Sequence, residues 1–509
     1  MNALELSKAL SRVNGAMVAD AMPGRQENKR PAFRITPLRA AGVVAALVAL
    51  AILIHAVLPK DAPGIVTKAY ALETAVYPEE PSLSAYNEAV DSLFEELGEA
   101  KITFDEFDKR YEELEAEYSE DIIAHQSYEY RVSSMRGAGA GLEGFFAGGA
   151  ADLLSGAGKE NRVYSPLNTY LALAMLAEIT GGESRAQLLE LLGEDSIDAL
   201  RDRANRIWNA NYRSGDGGKC VPGSSIWLNE DIPLNANTLK TLAADFYSSS
   251  FQGQMGSKDY LNCMQNWLNE ATGGLLEQQA GDLTMDPKDV LILLVTLWYE
   301  AGWTEEFYEG NNQKDVFHSP GGDTQAEYMY QSTEGYYYWG ERFSAMYKSL
   351  TDGSRMWFIL PDEGVGVDEL LADGQYRQFA KYAVNPDASW ENRKDVTINL
   401  RLPKFDVTST MDLIDALQAM GVTDCFDHEK ADFSPLSEQP GIWVRAVQHG
   451  ARLLVDEKGV RAASYVEIAA AAECAPPEEE VDFTLDRPFL FLLTSNDNIP
   501  LYTGVVNQP

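Results

Sequence analysis

Histidine and cysteine are scarce in this chain, with five and four residues in 509, and positive charge is scarce too, 41 lysines and arginines facing 78 acids. Each shortage excludes a chemistry. His55, His125, His318, His428 and His449 lie far apart, with no His-x-x-x-His spacing to hold a metal. Cys220, Cys263, Cys425 and Cys474 are too few and too scattered for a disulfide framework or a zinc site. No Gly-x-Ser-x-Gly elbow, Ser-x-x-Lys, His-Glu-x-x-His or Walker-type loop occurs, so neither enzyme activity nor a cofactor or metal is expected. Cys474 sits among prolines and glutamates, whose charge raises a thiol's pKa and so argues against a thiol protease. The net charge of −37 repels nucleic acid and anionic membrane surfaces. No Asn-x-Ser/Thr sequon is present, which points to a bacterial surface rather than a eukaryotic secretory route.

Long apolar runs are also rare, and one stands out. Ala40–Leu58 is interrupted only by His55 and is long enough to cross a bilayer as a helix. Seven basic residues precede it against three acidic ones, and few follow. The positive-inside rule then places residues 1–39 in the cytoplasm and the remainder outside, with a cleaved signal peptide and secretion as the alternative. Residues 59–135 are acidic. Ser82–Leu97 and Thr103–Tyr128 show helical spacing, as in Phe104, Phe107, Tyr111 and Leu114, and predict a helical stalk. The Gly137–Gly141 run marks a flexible junction, followed by a helix near Leu142–Leu154.

The stretch Glu457–Leu493 is the most informative. Val460, Ala462, Ser464, Val466 and Ile468 alternate with Arg461, Ala463, Tyr465 and Glu467, which predicts a half-buried strand with a slim inner face. Its continuation is wrong for a settled strand, since the Ala469–Ala472 run is followed by Glu473, Cys474, Ala475, two prolines and three glutamates, an exposed loop. A strand tethered to a long polar loop suggests a segment that inserts into a sheet.

This segment resembles the hinge, reactive-centre loop and last strands of a serpin, the family of suicide inhibitors of serine and cysteine proteases. Arg487-Pro488-Phe489-Leu490-Phe491 and Tyr502-Thr503-Gly504-Val505-Val506-Asn507 resemble its C-terminus. Asn161–Leu167 with Gly182-Glu183-Ser184-Arg185, Val295–Phe307, Leu402-Pro403-Lys404-Phe405, Leu417–Gly421 and Ala431-Asp432-Phe433-Ser434 resemble further stretches, in family order. The similarity covers residues 136–509. It implies an α+β fold of three β-sheets with about eight or nine helices and an exposed reactive-centre loop, preceded here by the transmembrane helix and stalk.

The resemblance also implies a mechanism. A target protease attacks the loop and forms an acyl-enzyme. The cut loop then inserts into the main sheet as a new strand, carrying the protease with it. The hinge residues would be Glu457, Gly459, Val460, Ala462, Ala463, Ser464 and Val466, with Gly459 supplying conformational freedom at the turn. Tyr465 departs from the family's usual small residue, but its parity places it outward. Ser165, Asn168 and His449 fall where the family latches the sheet opening, and Trp303 beneath the point where insertion begins. Asn168 stands for a usual serine and Val295 for an asparagine. Counting from Gly459, the reactive bond is Glu473–Cys474, with Ala472–Glu473 and Cys474–Ala475 open. Glu473 implies a glutamyl-preferring target, and Ala472 an elastase- or subtilisin-like one. The expected partner is an extracellular serine protease in covalent complex with a monomer, the membrane being held through Ala40–Leu58. A non-inhibitory relative acting as a surface binding or scaffold protein is the alternative.

Overall fold

The computed structural model describes residues 69–215, 217–385, 388–445, 447–460 and 479–509. The apolar run Ala40–Leu58 lies outside the described residues, as do Ala462, Ala463, Ser464, Val466, Ala472, Glu473 and Cys474. No helix among the described residues is long and apolar enough to cross a membrane.

The segment expected as a stalk begins by packing against the rest of the protein. Strand β1 (Ala71–Glu73) is followed by helices α1 (Ser84–Gly98), α2 (Phe104–Glu117) and α3 (Ser119–Met135). Thr103 and Glu106 form a reciprocal capping box that starts α2. Tyr70 packs on Tyr260 at 5.0 Å, and Tyr77 sits among Trp208, Tyr212 and Tyr247 at 5.2–6.0 Å between ring centres. The Glu80 carboxylate accepts from the Ser214 and Gly215 amides at 2.7 and 2.9 Å. A spacer has no need of such aromatics. The glycine run is docked too. Gly137 adopts φ +80, which favours glycine, and donates to Asp497, while a Cβ on Gly139 would fall 2.2 Å from Ile499 Cδ1, so that glycine serves close approach.

Ten helices follow: α4 (Glu143–Leu154), α5 (Pro166–Ile179), α6 (Gly182–Leu192), α7 (Ile197–Asn211), α8 (Ala236–Asp245), α9 (Lys258–Ala271), α10 (Glu277–Asp282), α11 (Val367–Leu371), α12 (Gly374–Ala383) and α13 (Ile414–Ala419). Three of them are single turns of five or six residues, which period counting overlooks. The central helix α5 starts where Ser165 caps it and Pro166 occupies its first position. Almost every side chain on α5 is buried, as suits a helix enclosed on all sides.

The strands are β2 (Arg162–Tyr164), β3 (Lys219–Asn229), β4 (Ser248–Gly253), β5 (Leu291–Gly302), β6 (Gln313–Ser319), β7 (Gly322–Trp339), β8 (Phe343–Ser349) and β9 (Arg355–Pro361). They continue with β10 (Arg393–Pro403), β11 (Phe405–Asp412), β12 (Gln448–Val455), β13 (Gly459–Val460), β14 (Glu480–Thr484), β15 (Phe489–Thr494) and β16 (Pro500–Val506). Among the described residues they form two sheets, where three were expected. One is seven-stranded, in the order β1-β4-β3-β5-β13-β12-β11. The other runs β14-β10-β7-β8-β9-β15-β16-β2, with β6 paired to β7. The reason for two rather than three is β7. This 18-residue strand pairs with β6 and β10 along its length and with β8 at its end, joining what would otherwise be separate sheets.

Candidate functional site: a cleft in the seven-stranded sheet

β5 and β12 flank the two-residue β13 in strand order and share no ladder of their own. β5 pairs along Leu291–Glu300 with β3, and β12 pairs from Gln448 to Val455 with β11. Among the described residues their facing edges are bridged at one end only, by the two residues of β13. Val460 pairs with both Ala301 and Val455, and Gly459 pairs with Gly302. Among the described residues, no strand pairs the facing edges of β5 and β12 away from that bridge. A cavity of about 500 Å³ lies on the outer side, lined by Leu291–Thr296 of β5, Gly450 of β12 and Met264, Leu268 and Leu276 of the covering helices. The inner side is lined by Asn168, Thr169, Ala172, Leu173 and Leu176 of α5 together with Val295 and His449. Unpaired strand edges are costly and receptive, because backbone donors and acceptors seek partners.

The closed end is densely bonded. Asp456 Oδ1 accepts from the Lys458 and Gly459 amides at 2.9 and 3.3 Å, which makes a tight turn. Three groups hold that turn from outside. The Trp303 amide donates to Lys458 O at 2.8 Å, its indole Nε1 to Asp456 O at 2.9 Å, and the Phe307 amide to Glu457 O at 3.0 Å. Gly459 has no positive φ, contrary to the expectation of a flexible turn. Its Cβ would fall 2.2 Å from Ala301 O, so glycine is required by the close approach of two backbones.

Glu457 is buried and pairs with Lys404 Nζ at 2.5 Å, while the Asn312 amide donates to the same carboxylate. Lys404 also reaches Glu327 at 2.8 Å. Burial raises the Glu457 pKa, but hydrogen bonds from Lys404, its own backbone amide and Asn312 outweigh it and hold the carboxyl below its ordinary value. Lys404, Asn312 and Glu327 escaped the sequence reading, although Lys404 lies within the Leu402–Phe405 motif. No period or spacing links positions 312, 327, 404 and 457.

At the middle of the cleft, Ser165, Asn168 and His449 come together. The Ser165 amide donates to His449 Nε2 at 3.1 Å, and its hydroxyl donates to Leu501 O at 2.6 Å. Since Nε2 accepts, the ring is neutral with its proton on Nδ1, which is buried without a partner. Burial pushes the imidazole down to about 4, with its own backbone opposing. With its nitrogen turned toward the acceptor, the Asn168 amide lies 3.1 Å from Thr296 O and 3.0 Å from Leu297 N of β5. Trp303 is not in this group but at the bonded end, on the hinge turn.

Known proteins match this chain. Residues 149–509 match the family described as Serpin (serine protease inhibitor). The chain belongs to the serpin family. Serpin-Z1C of Triticum aestivum is 26% identical over 368 residues, covering 69% of this chain and 90% of the relative. Plasminogen activator inhibitor 1 of Bos taurus is 26% identical over 362 residues, covering 69% and 87%. The thermophilic serpin tengpin in its native state matches with a TM-score of 0.61 at 26% identity, covering 72% of this chain and 93% of that one. Thyroxine-binding globulin complexed with thyroxine shares the fold, with a TM-score of 0.60 at 19% identity and coverage of 72% and 99%. These relatives are plant and mammalian as well as thermophilic, and carry no argument for a bacterial source. The family's name describes inhibitors of proteases, not catalysts.

Proposed function

We propose that this serpin traps a serine protease covalently by inserting residues 461–472 into the cleft between β5 and β12 after the reactive bond is cut. The observation that carries this reading is β13: two hinge residues already occupy the first rungs of a slot that, among the described residues, has no further strand partner. Extending that register by one residue per rung aligns Ala462 with Tyr299 and Leu453, Ser464 with Leu297 and Ala451, and Val466 with Val295 and His449. All of these face the packed interior, so small side chains are what the slot accepts. Tyr465 would align with Thr296 and Gly450. The outer cavity has room for it there, because a Cβ on Gly450 meets nothing within 4 Å. Thirteen residues from Val460 to Ala472 would carry the attached protease about 43 Å.

The reading further takes Glu473–Cys474 as the bait, with Ala472 as the alternative, and an extracellular glutamyl-preferring or elastase- or subtilisin-like protease as the target. It takes Ala40–Leu58 as a single-pass anchor that leaves the inhibitor outside the cell. The test is incubation with glutamyl-, elastase-, subtilisin- and trypsin-type proteases, a denaturing gel, and mass spectrometry of the released peptide. A band that survives denaturation and a peptide beginning at Cys474 are expected. Cleavage without any covalent band across the panel would instead support the scaffold reading.

A further inference from the structure

One buried cation is not accounted for by the cleft or by the Glu457 network. Lys348 of β8 is 5% exposed. Its Nζ donates to Gln331 Oε1 at 2.5 Å and stands 5.6 Å above the Trp303 ring and 4.9 Å above the Phe307 ring. Those two residues are the ones whose N–H groups bind the Asp456–Lys458 turn. A desolvated ammonium is attracted by the face of each ring, so one charge draws both residues to a common point.

We propose that Lys348 is a positioning residue for the hinge, whose ammonium fixes Trp303 and Phe307 and through them the turn from which loop insertion starts. The inference rests on the inhibitory reading and deepens it. A cleft of about 200 Å³ beside the amine is lined by Glu305 from the β5–β6 connection, Glu334 and Tyr336 from β7, and Tyr347 from β8. Across the rings lies Glu457, already paired with Lys404. Burial lowers the Lys348 amine to about 8, Glu305 opposing. The charge that holds the hinge is therefore present at neutral pH and is lost as pH rises through about 8, loosening the turn.

The test is amide hydrogen exchange at Trp303 and Phe307 in the whole protein, referred to the Leu490 and Val505 amides, which removes the intrinsic effect of pH on exchange. Lys348→Met, similar in length but uncharged, is expected to speed exchange at both positions about tenfold at pH 7. Lys348→Arg keeps a ring-stacking cation and is expected to stay slow from pH 7 to pH 9, while the native protein accelerates over that range. Native-like exchange in Lys348→Met at pH 7 would overturn the proposal. Should Lys348→Met fail to fold, an Arg variant that accelerates with pH as the native protein does would overturn it as well. Exchange needs no protease. Complex formation assayed in parallel therefore separates failure of this inference from failure of the inhibitory reading.

Discussion

The two sheets of this serpin end in opposite conditions. In the nine-stranded sheet, β15 and β16 are buried along their whole length and pair on both edges, so backbone and side chains are satisfied together. In the seven-stranded sheet, β5 and β12 carry more polar and half-buried residues and, among the described residues, meet only through two residues of β13. The first sheet has nothing left to gain. In the second, among the described residues, the facing edges of β5 and β12 make no further ladder bonds, and each such bond is worth about 1 kcal/mol net once formed. Free energy withheld in one sheet, within a body held rigid by the other, is what a loop-insertion device requires.

Ala462→Arg breaks the contrast most severely, since it places a charge where the register meets buried Tyr299 and Leu453. Covalent complex on a denaturing gel is expected to fall at least roughly a hundredfold, with cleavage of the loop continuing, because an uncompensated buried charge costs several kcal/mol. Undiminished trapping would sink the insertion argument.

His449 sharpens the contrast in acid. Its folded pKa of about 4 lies below the ordinary 6.5. Between those values the unfolded chain binds a proton that the folded one does not, so stability is intact above pH 6.5 and declines as pH falls toward 4. The loss is about 3 kcal/mol. Buried Asp352 and Asp497 are shifted upward and act in the opposite sense, so the difference between native protein and His449→Gln isolates the histidine. Urea midpoints from pH 4 to 7 are expected to converge at the acid end for the two proteins.

Two glycines of the same sheet give the smallest and cleanest test. Gly459→Ala forces a Cβ onto Ala301 O and is expected to cost about 1–3 kcal/mol, seen in the urea midpoint and in Trp303 fluorescence. Gly450→Ala meets open space and is expected to shift stability by less than about 0.5 kcal/mol. Equal effects would mean that the cleft is not open where the structure places it.

Much of this was legible in the chain itself, for a physical reason. Strand alternation at Val460 and motif order along the chain are local signals, and they led to the family. The first helix of the domain was expected near Leu142–Leu154 and runs Glu143–Leu154. Helical spacing over Thr103–Tyr128 was read as one helix, whereas the structure divides α2 from α3 at Tyr118. What stayed hidden needs three dimensions. Lys404 meets Glu457 and Glu327 only when three elements converge. Lys348 reads as an ordinary alternating strand lysine until two rings close over it. The reason for Gly459 lies in a carbonyl about 160 residues earlier in the chain. The three-residue β1 is too short for any period to announce it.

The most direct measurement is amide hydrogen exchange along Leu291–Glu300 before and after the loop is nicked within residues 461–478. Filling of the cleft should slow the β5 amides that face β12, while those of β15 and β16 stay as they were. Exchange along β5 unchanged by the nick would contradict the account.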